Sequence, residues 1–379
     1  MKQAAAESPW PYRGAWLLCG LTFPLIWVGG LITTTDAGMA VPDWPGTYGY
    51  NLLLYPWQTW FFGPWDLFIE HGHRLLASLV GLLTIALLVI VRRSGEPRQV
   101  VRLAWIALGL VCLQGALGGF RVLLNARYLA LVHGATGPLF FAVTVLLVAA
   151  TRPTPARLLP ATRSQRAPTL SQRGWLIAIL PALVYTQLIL GATLRHTPES
   201  SGAWAFALHV QAHLAMAAVV AVVALVVAFS EARAGRGRVA ALLAAVLVGQ
   251  ISLGLATWVA KYRYPHWADP TTTLTAAAEN APLELPRLRG WAERMAPGTI
   301  QPPTAGGFTE TTIVTAHSAI GSLLLALAVG RAAGLGVSTG RAGKSPPDGQ
   351  DALAEAVRAS ETQASGPPQP PRRESSLLA

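Results

Sequence analysis

Residues 103–150 read LAWIALGLVCLQGALGGFRVLLNARYLALVHGATGPLFFAVTVLLVAA. Two apolar runs, 103–120 and 129–150, flank a short connection that carries Arg121 and Arg127. A helix needs about 20 mostly apolar residues to cross the hydrocarbon layer, and both runs qualify. The same rule applied outward predicts eight spans: 15–34, 71–91, 103–120, 129–150, 175–194, 208–229, 239–259 and 312–332. The whole chain of 379 residues is 52% apolar and only 12% charged, about half the charged share of a soluble domain. That excludes an ordinary soluble enzyme, and 28 prolines with 36 glycines exclude a long coiled coil. The net charge of +11 sits in short clusters between apolar runs, a membrane-protein distribution rather than a nucleic-acid patch. Cys19 and Cys112 both lie inside apolar runs, which leaves no disulfide framework and no cysteine metal site. The expected fold is an all-α integral membrane protein.

Orientation follows from the Lys/Arg bias of the connections. Arg92, Arg93, Arg98 and Arg102 cluster after span two. Arg152, Arg157, Arg163, Arg166 and Arg173 follow span four, and Arg233, Arg236 and Arg238 follow span six. The 35–70 loop instead holds Asp36, Asp43, Asp66 and Glu70 and no basic residue. Both termini are expected in the cytoplasm, with the loops at 35–70 and 260–311 outside. The tail, 336–379, is rich in Pro, Gly, Ser and charge and reads as disordered.

The chain repeats itself across its middle. Gln114-Gly-Ala-Leu117-Gly118 in span three matches Gln250-Ile-Ser-Leu253-Gly254 in span seven. His133-Gly-Ala-Thr-Gly137 in span four matches His317-Ser-Ala-Ile-Gly321 in span eight, and His73 in span two pairs with His213 in span six. The order is the same in both halves. This predicts two pseudo-symmetric four-helix bundles, residues 1–152 and 168–335, joined by a cytoplasmic linker at 153–167.

Spans two, four, six and eight all run the same way through the membrane. His73, His133, His213 and His317 each lie a few residues past the start of such a span, so all four sit at similar depth. Two parallel helices offering imidazoles at one level suit bis-histidine ligation of haem iron. Gln114 and Gln250 either orient groups at the site or hydrogen-bond between helices. Gly137 and Gly321 either leave room for a flat ligand or let helices pack closely. His209 and His213, spaced i and i+4, could hold zinc, but no carboxylate accompanies them in span six. His71 faces away from His73, and His196 and His266 read as solvated external residues.

The halves differ in one place. Span two opens Glu70-His71-Gly72-His73-Arg74, whereas Val210 and Leu214 stand at the matching positions of span six. Glu70 lies about one turn before His73 on the same face. A carboxylate there could accept a proton or stabilise positive charge on a substrate. Arg74, at the outer end of a span, needs a partner, and either Glu70 or a haem propionate would serve.

These residues resemble a known family. Gly29-Gly30-Leu-Ile-Thr33-Thr34-Thr35-Asp36-Ala-Gly38, followed by Pro42-Asp43-Trp44-Pro45 and by the E-x-x-H-R motif at Glu70–Arg74, is similar to the haem A synthases. The resemblance covers residues 15–335. It implies a membrane oxidoreductase that converts the C8 methyl of haem O to a formyl group by successive hydroxylations, in cytochrome oxidase cofactor biosynthesis. Substrate haem O, and product haem A, would sit at His73 and His133, with Glu70 catalytic and Arg74 binding the cofactor. A b-type haem would sit at His213 and His317. Implied partners are a haem O synthase (protohaem farnesyltransferase) and cytochrome oxidase assembly proteins in the inner (cytoplasmic) membrane, with homo-oligomers allowed and no nucleic acid. The chain departs from the family pattern in lacking a cysteine pair in the first external loop, in having Leu214 where Arg is common, and in its long 260–311 segment.

Two other readings compete. A dihaem b-type electron-transfer protein explains the four histidines but gives Glu70 and Arg74 no task. A transporter could use the repeat but has no need of matched histidines.

Overall fold

The computed structural model describes residues 8–153, 172–196, 202–262 and 307–334. Eight long helices account for most of them: α1 Trp10–Thr34, α3 Trp65–Arg93, α4 Arg98–Leu123, α5 Arg127–Ala150, α6 Gln172–His196, α7 Gly202–Arg233, α8 Gly237–Tyr262 and α9 Phe308–Ala332. A short helix, α2 Trp57–Phe61, lies in the loop between α1 and α3. All eight expected spans are present, each long and apolar enough to cross a membrane. The expected linker, the tail and most of the 260–311 segment lie outside the described residues.

The helices overrun the apolar stretches, most clearly α3 and α7, each beginning six residues before its expected start. Hydropathy reports only the part that sits in hydrocarbon, whereas backbone hydrogen bonding carries the helix on until a signal stops it. Proline supplies the start at Pro56, Pro64 and Pro97, directly before α2, α3 and α4, where its missing N–H costs nothing. Gly95 and Gly235 supply the stop, at φ of 69° and 74° just past α3 and α7. The left-handed conformation there favours glycine, and both lie twenty-two residues beyond the matching histidines, His73 and His213.

Among the first four spanning helices α1 packs on α3, α3 on α4, α4 on α5 and α5 on α1. The same cycle joins α6, α7, α8 and α9. Contacts of α1 with α9, of α5 with α9 and of α5 with α6 connect the two sets, and α5 and α9 are the most enclosed helices. A continuous apolar core draws on all eight, with Leu18, Val80, Ala104, Leu147, Leu180, Val227, Leu243 and Leu324 among its members. It fills the end that carries the short basic connections. There Glu231, fully buried, accepts from Arg236 Nε at 2.5 Å and from Arg331 Nη2 at 3.0 Å, tying α7 to α9. Towards the opposite, loop-bearing end the apolar core reduces to a small cluster of Ile32, Ala37 and Ile69. Polar side chains take its place.

Candidate functional site

The loop between α1 and α3 is pinned by the first turns of α3. Glu70, 2% exposed, accepts the Val41 N–H at 2.9 Å through Oε2 and an Arg74 N–H at 2.8 Å through Oε1. Arg74 donates further to the carbonyls of Val41 (2.7 Å), Asp43 (2.6 Å) and Gly46 (2.9 Å). A buried ion pair survives only when its remaining lone pairs and protons are satisfied, and here the loop backbone satisfies them. Of the two partners open to Arg74, the structure shows Glu70. His71 sits behind this latch, 1% exposed, its Nδ1 at 3.0 Å from Thr47 Oγ1 and its ring between Tyr55 and Trp60.

The turn beneath is closed by its own aspartate. Asp43 accepts from the backbone N–H of Tyr48 at 2.8 Å and of Gly49 at 2.9 Å. Slight burial pulls its carboxyl upward, but these N–H groups and the nearby Arg74 outweigh that and hold it below the usual carboxylate range. Trp44, from the same turn, lies on Gly119 of α4 so closely that no side chain would fit there.

Below the loop the four histidines share one mode of seating. A methyl group on Gly29 of α1 would lie 3.1 Å from Cε1 of His73 on α3. The same construction gives 3.3 Å from Gly118 of α4 to His133 on α5, and 3.2 Å from Gly191 of α6 to His213 on α7. From Gly254 of α8 to His317 on α9 it gives 3.0 Å. Each imidazole thus occupies the space of a missing side chain on the helix that precedes its own.

Glutamines stand four residues before three of the seats. The Gln114 amide lies between Thr136 Oγ1 and Nδ1 of His133, the latter at 3.1 Å. Gln187 lies 3.2 Å from both ring nitrogens of His213. Gln250 packs on Gly321, its Nε2 3.2 Å from where a methyl would stand, and Gly137 faces Gln114 in the same way. Gly137 and Gly321 therefore serve helix and glutamine packing. In α1 the corresponding position is Leu25. Among the described residues nothing hydrogen-bonds the buried Nδ1 of His73 or of His317.

Two arginines complete the level. Arg121, near the end of α4, makes a single long hydrogen bond, 3.3 Å, to the Gly38 carbonyl. Arg195 of α6 donates to the Gly30 carbonyl at 2.9 Å, to Thr34 Oγ1, and to Ser318 Oγ at 3.3 Å, joining α6 to α1 and α9.

Glu70 and Arg74 thus meet, and each of the four expected histidines is seated against a glycine of a neighbouring helix. His209 is half-buried, and His266 lies outside the described residues. One expectation needs correcting. His196 is not a solvated external residue: it is the last residue of α6, half-buried, with Nε2 4.0 Å from where a methyl on Gly134 would stand. The span runs two residues further than its apolar stretch and carries His196 onto α5. Sequence reasoning also missed Gly29, Gly191, Gln187, Arg121 and Arg195. The signal for Gln187 was present: Gln-x-x-x-Gly occurs at 114–118, 187–191 and 250–254.

The residues fit haem rather than a compact metal ion. Among the described residues no group of three or more His, Cys, Asp or Glu converges, as structural zinc requires. Two imidazole pairs in cradles cleared by glycine provide axial donors for a flat macrocycle.

Comparison with known proteins gives a consistent picture. The family profile described as cytochrome oxidase assembly protein matches residues 64–207, the segment that carries Glu70, His73, Arg74, Gln114, His133 and Gln187. The chain is 31% identical over 181 residues to the Heme A synthase of Bradyrhizobium sp. (strain BTAi1), covering 45% of this chain and 49% of that protein. It is 33% identical over 188 residues to the Heme A synthase of Symbiobacterium thermophilum, covering 46% and 56%. For that of Geobacillus kaustophilus the values are 28% over 149 residues, 39% and 41%. The chain spans about half the length of the curated relatives it matches. No solved structure gives a significant match. The resemblance carried by the PDWP and E-x-x-H-R motifs is therefore found across a longer stretch of sequence too.

Proposed function

We propose that this chain is a haem A synthase, oxidising the C8 methyl of haem O to a formyl group by successive hydroxylations. The observation that carries the reading is the repeated seat: four imidazoles, each against a glycine of the preceding spanning helix. In this reading residues 1–152 and 168–335 form two pseudo-symmetric four-helix bundles. His73 and His133 hold the substrate haem in the first, and His213 and His317 hold a b-type haem in the second. The basic connections place both termini on the cytoplasmic side of the inner membrane. The seats then lie near the outer face, where a farnesylated haem supplied by a haem O synthase could enter from lipid.

Haem iron supplies the oxidising power that an unactivated methyl demands. The chain's own groups bind, orient and shield. Glu70, one turn before His73, is fixed by Arg74 and the Val41 N–H. From there its carboxylate accepts a proton from the substrate or stabilises positive charge developing on it. The latched loop, with Trp44 on Gly119, keeps water from that side of the site.

The test is expression of the full chain with a haem O synthase, followed by chromatographic identification of the extracted porphyrins. Glu70→Ala is expected to retain haem and accumulate unconverted haem O, with formyl-haem yield falling on the order of 100-fold, as for loss of a general base. A normal formyl-haem yield in that variant contradicts the role. If the wild-type protein yields haem B alone, the dihaem electron-transfer reading replaces this one.

A further inference from the structure

Arg74 and Arg121 both stand at the loop-bearing end of the first four spanning helices, and the structure uses them differently. Arg74 has four hydrogen bonds, one of them to Glu70. Arg121 has five N–H donors and, among the described residues, commits one, to Gly38 at 3.3 Å. Its side chain is half-buried and stands one turn beyond Gly118, the glycine that seats His133. Among the described residues Glu70 is the acid whose charge reaches Arg121, but both Glu70 oxygens are taken by Arg74 and Val41. Space has also been cleared for Arg121: a methyl on Gly38 would come within 2.7 Å of its Nη1.

A half-buried guanidinium with donors to spare can take an anion through charge-assisted hydrogen bonds. The ligand that His73 and His133 are proposed to hold carries two carboxylates on its rim. We propose that Arg121 is the carboxylate anchor of that site, taking a propionate of the macrocycle bound between His73 and His133. The inference rests on the haem reading of that pair and adds a binding residue to it. Fork-shaped donors matched to a carboxylate fix the rotation of a planar ligand about the iron axis as well as its affinity. Arg121 would thereby decide which edge of the ring faces Glu70.

The experiment titrates the purified full-length protein with ferric protohaem and, separately, with its dimethyl ester, which lacks the carboxylates. Absorbance reports binding, and His73→Ala identifies the contribution of the other pair. Arg121→Gln should weaken binding of the free acid at the His73–His133 site about tenfold or more, the worth of one charge-assisted hydrogen bond. It should leave the ester and the His213–His317 site unchanged, the latter also showing that the variant folds. Arg121→Lys should recover part of the loss. Equal weakening of acid and ester would make Arg121 a packing residue and overturn the proposal, as would no weakening of either. If His73→Ala removes no haem, the underlying reading of the pair fails instead, and this inference falls with it.

Discussion

At matching turns α3 buries Glu70 and Arg74 against the loop, whereas α7 carries Val210, buried, and Leu214, 55% exposed. One turn away the two helices do the same thing. His73 rests on Gly29 and His213 on Gly191, and each helix ends on a glycine of positive φ. The repeated part seats a histidine; the part that differs pins a loop. Burying an ion pair instead of an apolar pair usually gains no stability, so its presence on α3 alone points to a task on that side. On α7 the exposed leucine faces outward, where lipid is the expected neighbour.

The comparison breaks most readily at its shared element. Gly29→Val should push the His73 ring out of its seat and abolish haem binding at the His73–His133 pair, leaving the other pair intact. Gly191→Val should do the converse. Haem-to-protein stoichiometry of the two purified variants is the measurement, with each expected to lose its own haem nearly completely. Loss of both haems from either variant would mean that the seats support the fold rather than a local ligand.

The common features were readable because they repeat along one helix at a time. Apolar length gave eight spans, charge gave their alternation, and His73, His133, His213 and His317 declared themselves by their place within even-numbered spans. The seats were less legible because each joins two helices. Gly29 and Gly191 look like ordinary small residues until the facing ring is in view. The protein partners of Arg74 were hidden for the same reason: the carbonyls of Val41, Asp43 and Gly46 that it meets come from a loop whose path no periodicity encodes. His196 was misread because a helix continues past the hydrophobic stretch that announces it.

A smaller effect sharpens the difference between His73 and His213. Gln187 reaches the ring nitrogens of His213, while Leu25 stands at that position of α1. The amide nitrogen is the end that faces the ring, and an N–H donating to an imidazole nitrogen draws electron density from it and weakens it as a donor to ferric iron. Gln187→Leu should therefore lower the midpoint potential of the haem at His213–His317. One hydrogen bond of about 1 kcal/mol corresponds to roughly 40 mV for a one-electron couple. Leu25→Gln should raise the potential at His73–His133 by a similar amount. Redox titration of each variant checks both signs, and a shift common to the two haems would argue against a local cause.

The smallest effect concerns the closure made by the loop between α1 and α3. Asp43 is held below the usual carboxylate range because its ionised form accepts from Tyr48 and Gly49, despite a little burial acting the other way. A group whose pKa is depressed on folding stabilises the fold above its unfolded value, about 3.9. That contribution disappears as pH falls through the folded value. The 43–50 turn should stay closed at pH 5 and open only below about pH 4. Hydrogen exchange of the Tyr48 and Gly49 amides, corrected for the intrinsic pH dependence of exchange, reads this directly. Asp43→Asn should abolish the transition, since a neutral amide does not titrate. Peptides from the start of α7, which carry no acid between Gly202 and His213, should show none. Protection that persists unchanged well below pH 3, or an asparagine variant that opens at the same pH as wild type, would detach the turn from Asp43. The closure would then rest on Glu70 and Arg74 alone.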